Sequence, residues 1–171
     1  MRRLLIPVIS GILITIASVA PAMAAKPDHS RPGVAPPTDI LGVCDFAITL
    51  TSTADKSILS VWEYEDGSVR ILNRGYANGT ATNTEDGTTY THGGGFRVNI
   101  VVHPDGSVDI DASGNLFAWY FAGDPVVGLS DGVFAVSGRG SESYAADGSL
   151  ISASFYGGNA VDLCAALAPD A

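Results

Sequence analysis

Beyond residue 42, apolar side chains fall on every second position. Phe96, Val98, Ile100 and Val102 alternate with Arg97, Asn99 and His103, with Val101 as the exception. Cys44, Phe46, Ile48 and Leu50 alternate with Asp45, Thr49 and Thr51. Successive strand side chains point to opposite faces, so period two predicts strands with one buried face. A helical period is confined to a turn or two around Leu163–Ala168. Asp-Gly recurs at Asp66-Gly67, Asp86-Gly87, Asp105-Gly106, Asp131-Gly132 and Asp147-Gly148. The pair is a strong hairpin signal, because a type I′ turn needs positive φ at both central residues. The segments between these pairs are longer than one ordinary strand, and glycines such as Gly75, Gly79, Gly114, Gly138 and Gly158 lie inside them. Glycine within a strand marks a bulge or a bend. Long strands bent at central glycines predict an all-β fold, a small closed antiparallel barrel of about eight strands in meander order. A two-sheet β-sandwich is the alternative.

Residues 1–24 follow another pattern. Arg2 and Arg3 precede an apolar run from Leu4 to Val19, and Ala22-Met23-Ala24 forms a small-x-small cleavage site. These features predict a signal peptide, with Ala25 as the first mature residue. The run is shorter than the roughly 20 residues that span a bilayer. Residues 25–42 carry Pro27, Pro32, Pro36 and Pro37 and read as a Pro-rich flexible arm. The folded domain is expected over 43–168.

Export places thiols in an oxidising compartment, and the chain has two cysteines. Cys44 and Cys164 are therefore expected to form a disulfide. It would close a loop of about 120 residues and lock the seam of a barrel.

The 171-residue chain carries nine basic and 18 acidic residues, a net charge of −9. Loss of the leader would leave seven basic residues against 18 acidic ones, a net charge of −11. Such a surface repels phosphate polyanions and anionic lipid, so neither nucleic acid nor membrane is an expected partner.

Cys44-Asp45-Phe46 at one end and Val161-Asp162-Leu163-Cys164-Ala165-Ala166-Leu167 at the other, with Asp-Gly turns between, carry a resemblance. The domain resembles a group of small secreted actinobacterial β proteins. That resemblance implies secretion, a disulfide and a β fold, and it brings no activity with it.

The chemistry-bearing residues form no motif. His29, His92 and His103 lack metal-ligand spacing, and no Gly-x-Ser-x-Gly elbow occurs. Asp109, Asp111, Ser113 and Asn115 match the start of an EF-hand loop, but Tyr120 stands where the bidentate Glu belongs. Glu63 and Glu65 alternate with Trp62 and Tyr64 as a solvated face over a packed one. No catalytic residue, metal ligand or cofactor is therefore assigned.

Leu116-Phe117-Ala118-Trp119-Tyr120-Phe121 is apolar on both faces. One face is expected to fill the barrel. The other needs cover from the arm, from a loop such as Pro125–Leu129, or from another subunit. Phe117, Trp119 and Phe121, with Trp62 and Tyr64, are the candidate ligand-binding residues, since aromatic rows suit apolar or sugar-like ligands. The expected function is secreted, non-catalytic binding of a small apolar or aromatic molecule. The alternatives are an interaction module using the exposed strand face, with weak homo-oligomerisation, and a cyclase- or isomerase-like enzyme with a shaped apolar pocket.

Overall fold

The structure, a computed structural model, describes residues 27–169, and the expected signal peptide lies outside them. In chain order the strands are β1 (Asp28–Ser30), β2 (Thr38–Ile40), β3 (Ile48–Asp55), β4 (Ile58–Glu63) and β5 (Val69–Asn83). They continue as β6 (Thr89–Val102), β7 (Val108–Tyr120), β8 (Val126–Val127), β9 (Gly132–Tyr144) and β10 (Leu150–Asp162), followed by the one-turn helix α1 (Leu163–Ala166). The all-β class holds. The strands form one sheet in the order β1-β4-β5-β6-β7-β9-β10-β8, with β3 joining the far half of β5 and β2 pairing β3.

This sheet is not closed, so the expected barrel is corrected to an open sheet. Its outer strands are β1, β2 and β8, and β8 lies parallel to β10. Two pieces of the Pro-rich segment belong to the sheet: β1 pairs β4, β2 pairs β3, and Ile40 is buried. Cys44 lies in a bend ahead of β3, not in a strand.

Three Asp-Gly pairs make the same hairpin. Gly67 N–H donates to Tyr64 O and Tyr64 N–H to Ser68 O. His103 with Gly106 and Ser107, and Ala145 with Gly148 and Ser149, repeat this pattern. The pattern is a type I turn closed by a glycine bulge, with Gly67 at φ +84°, and it corrects the two-residue type I′ turn expected from sequence. Each Asp carboxylate accepts from the N–H and the hydroxyl of the serine two residues on. Those bonds hold Asp66, Asp105 and Asp147 below the ordinary carboxylate pKa.

The sign of the pH effect follows. A carboxyl with a depressed folded pKa binds its proton more readily in the unfolded chain, so its stabilisation is complete above the unfolded value near 3.9. It is lost as pH falls through the folded value. Melting temperature should therefore drop below about pH 4, and more steeply than in a D66N/D105N/D147N variant. Parallel acid limbs for the two proteins would remove the turns from the explanation.

Glycines decide the shape of the sheet. Gly75, Phe96, Gly114, Gly138 and Gly158 lie in one cross-strand row. On one side of that row β6 pairs β7 from Phe96 to Val102. On the other side β6 pairs only β5, and β7 pairs only β9. The sheet forks there into two leaves. Gly114 has φ +98°, and a Cβ on it would run into Gly95 O and the Phe96 backbone.

The first core fills the fork. Ile48, Leu50, Ala81 and Tyr90 from one leaf meet Phe117, Trp119, Val133 and Ala135 from the other. His92 reaches across, with Nε2 2.9 Å from Val136 O and its ring edge-on to Phe117 at 5.6 Å. Ile40, Phe46, Leu163 and Leu167 complete the cluster. The Cys44–Cys164 disulfide ties the segment before β3 to α1 beside it. Asp162 caps α1 through Ala165 N–H, and the buried Asn83 amide donates to Leu167 O.

The second core lies on the other face of β7. Tyr120, Phe134, Val136 and Ala153 are buried there, with Leu116, Ala118, Val126, Leu129, Leu150 and Phe155 against them. The aromatic strand is therefore covered on both faces by its own chain. The loop around Val126 and Leu129, one of the covers expected from sequence, contributes to the second face.

Candidate functional site

Between the Asp-Gly-Ser hairpins and the glycine row, five strands run side by side with exposed polar positions on one face. Cross-strand partners place Arg74, Arg97, Ser113, Arg139 and Tyr156 in one row. A second row holds Leu72, Asn99, Asp111, Ser141 and Ser154, and a third holds Trp62, Arg70, Val101, Asp109 and Ser143. A groove of about 460 Å³ runs across these rows, lined by Arg70, Arg97, Asn99, Asp111, Arg139 and Tyr156, among others.

Among the described residues, none of these arginines lies within 4.0 Å of a carboxylate, although Asp111 lines the same groove. Among the described residues, the one ion pair within 4.0 Å joins His103 and Asp109 at 2.8 Å, outside the groove lining. Arg74 and Arg97 face each other directly across β5 and β6. Like charges in that relation are destabilising. Arg97 and Arg139 stand two strand spacings apart, about 10 Å. Arg70 is held in place: its Nε donates to Asn99 Oδ1 at 2.6 Å, and its guanidinium lies 5.5 Å from the Trp62 ring centroid. The terminal nitrogens of a guanidinium fixed through Nε remain available as a planar donor pair.

A second polar cluster lies against the second core. Glu142 accepts from Tyr120 Oη at 2.8 Å and from Tyr144 Oη at 2.7 Å. Tyr120 pairs with Gly132, whereas Glu142 pairs with Ile110, ten positions away along β7. A straight strand would separate them by about 33 Å, so this bond records how far the leaf folds back. Burial, then the Glu142 charge, pushes both phenols well above their ordinary pKa. Both stay protonated as donors. In an alkaline titration followed by absorbance, two of the six tyrosines should ionise only when the chain unfolds. Six phenols titrating together in the folded protein would contradict the cluster.

The histidines have structural partners. His29 Nδ1 lies 2.9 Å from Ser60 Oγ, and Ser60 is 2% exposed, too deep to attack a bound substrate. His103 bonds Asp109, which also accepts from Ser143 Oγ. The Ser143 and His103 bonds hold Asp109 below the ordinary carboxylate pKa. Asp109, Asp111 and Ser113 sit in the regular strand β7 on the groove face, not in a looped cage.

The five sequence-selected aromatics do not form one site. Phe117 and Trp119 pack in the fork. Phe121 lies past the end of β7, its N–H donating to Asp124 Oδ2. Trp62 is half-buried on β4 beside Arg70, and exposed Tyr64 begins the first hairpin. The sequence-based candidates leave out the groove arginines, although the alternation of Phe96–Val102 puts Arg97 and Asn99 outward. Arg70, Arg74 and Arg139 show the same parity on their strands. Four of nine basic residues on outward positions of neighbouring strands is the signal that sequence carries.

Comparison with protein-family models, with curated protein sequences and with solved structures finds no match to this chain.

Proposed function

We propose that the protein is a secreted, non-catalytic binding protein whose binding surface is the arginine-lined groove, and whose ligand carries an oxyanion. One observation carries this reading: three arginines converge on one groove against a single carboxylate, Asp111, with which none of them forms an ion pair within 4.0 Å, in a chain of net charge −9. Guanidinium groups recognise carboxylate, sulfate or phosphate through parallel N–H···O bonds, and Arg70 is already oriented for this. Cationic side chains spread over the surface would aid solubility without converging.

Both cysteines are bonded to each other, and the phenols of buried Tyr120 and half-buried Tyr144 are engaged by Glu142. These engagements support a binding role over catalysis. An apolar ligand among Phe117 and Trp119 has less support, because those rings already pack against Val133, Ala135 and Ala81.

Citrate serves as the test ligand. It should raise the melting temperature by a few degrees at low ionic strength, because a ligand bound by the native state adds to its stability. An R97Q/R139Q variant should lose that shift. Equal shifts in both proteins would contradict the groove.

A further inference from the structure

We infer that the groove takes an acidic saccharide, a sugar chain bearing uronate-type carboxylates, an inference that rests on the groove being the binding surface. The lining holds more than cations. Asp111 stands among Arg97, Asn99 and Arg139 with no ion-pair partner among the described residues. A carboxylate in an anion site opposes a ligand that offers it oxyanions alone. It suits a ligand that also presents hydroxyl groups, since an ionised Asp only accepts hydrogen bonds. Asn99 and Ser113 add neutral donors and acceptors beside it. One molecule with both carboxylates and hydroxyls satisfies all of these groups together.

The shape agrees. The groove lies open along the sheet and crosses several strands, which fits a chain lying on the surface more than an enclosed small molecule. Tyr156 lines it and is 52% exposed, a free ring face against which a sugar ring can pack. DNA fits less well: its backbone presents phosphates without the ring hydroxyls from which Asp111 would accept hydrogen bonds.

The test is calorimetric titration of the protein at low salt with oligogalacturonate, a neutral oligosaccharide of equal length, inorganic sulfate and single-stranded DNA. Oligogalacturonate should bind and the neutral chain should not. R97Q and R139Q should each weaken binding about tenfold, as expected for a lost charge-assisted pair. R97K should recover part of the loss, because the point charge returns without the planar fork. K56Q, which removes a charge outside the groove, should change nothing. Y156A should weaken the saccharide several-fold while leaving the weak binding of sulfate unchanged.

Binding of sulfate or DNA through Arg97 and Arg139, without binding of oligogalacturonate, would overturn the saccharide and leave the groove as a binding surface. Oligogalacturonate binding unaffected by R97Q, R139Q and Y156A would overturn the assignment to this groove. Failure of every probe would overturn both readings.

Discussion

Gly114→Val should cost about 2–5 kcal/mol. Two penalties combine. At φ +98° a β-branched residue sits in a region that L-residues avoid, worth about 1–2 kcal/mol. The added Cβ also collides with Gly95 O and the Phe96 backbone, at the point where β6 and β7 part. Overpacking against main chain cannot be relieved by a rotamer change and adds about 1–3 kcal/mol. Gly95→Ala is the control, since a Cβ there meets only Gly75 O at 3.8 Å. Denaturant unfolding should separate the two variants clearly. Equal stability for G114V and wild type would mean that the fork is not where the chain bends.

The second large effect concerns Cys44 and Cys164. The bridge closes 120 residues of sequence, and replacing both cysteines with serine should lower stability by about 2–5 kcal/mol. Chain entropy alone gives about 4.7 kcal/mol for a loop of 100 residues. The bridge also holds α1 against the open end of the fork, where Leu163 and Leu167 are fully or almost fully buried. Loss of the tether should therefore show as early hydrogen exchange in α1 and the end of β10, ahead of global unfolding. A variant that melts with the wild type would show that burial of Leu163 and Leu167 suffices.

The strands were legible in the sequence because their period is local. Phe96–Val102 declares its buried face without reference to the rest of the chain, and the aromatic run Leu116–Phe121 declares that both of its faces need cover. The hairpin positions were equally plain, since Asp-Gly marks four of them, the β5–β6 hairpin at Asp86-Gly87 included. Turn type was not legible: Asp-Gly serves a type I turn with a glycine bulge as well as it serves type I′. Closure was missed for a physical reason. Glycine inside strands says that the sheet bends, but the bend direction depends on which strands stay paired beyond Gly114, a long-range property. A closing barrel and a forking sheet use the same residues.

The site was hidden for a related reason. Arg70, Arg97 and Arg139 lie on three strands, separated by 27 and 42 positions in the chain, and each alone reads as an ordinary solvated residue. Only the register of β5, β6, β7 and β9 brings them together. The aromatics drew attention because large apolar residues stand out in composition. Most of that aromatic mass instead holds the leaves of the fork together.

The most direct test of the account is a map of amide shifts in isotopically labelled protein during titration with citrate. The shifts should concentrate at Arg70, Arg97, Asn99, Asp111, Arg139 and Tyr156, across β5, β6, β7, β9 and β10. Shifts centred on Phe117, Trp119 and Val133, or no shifts at millimolar citrate, would contradict an arginine groove as the binding surface.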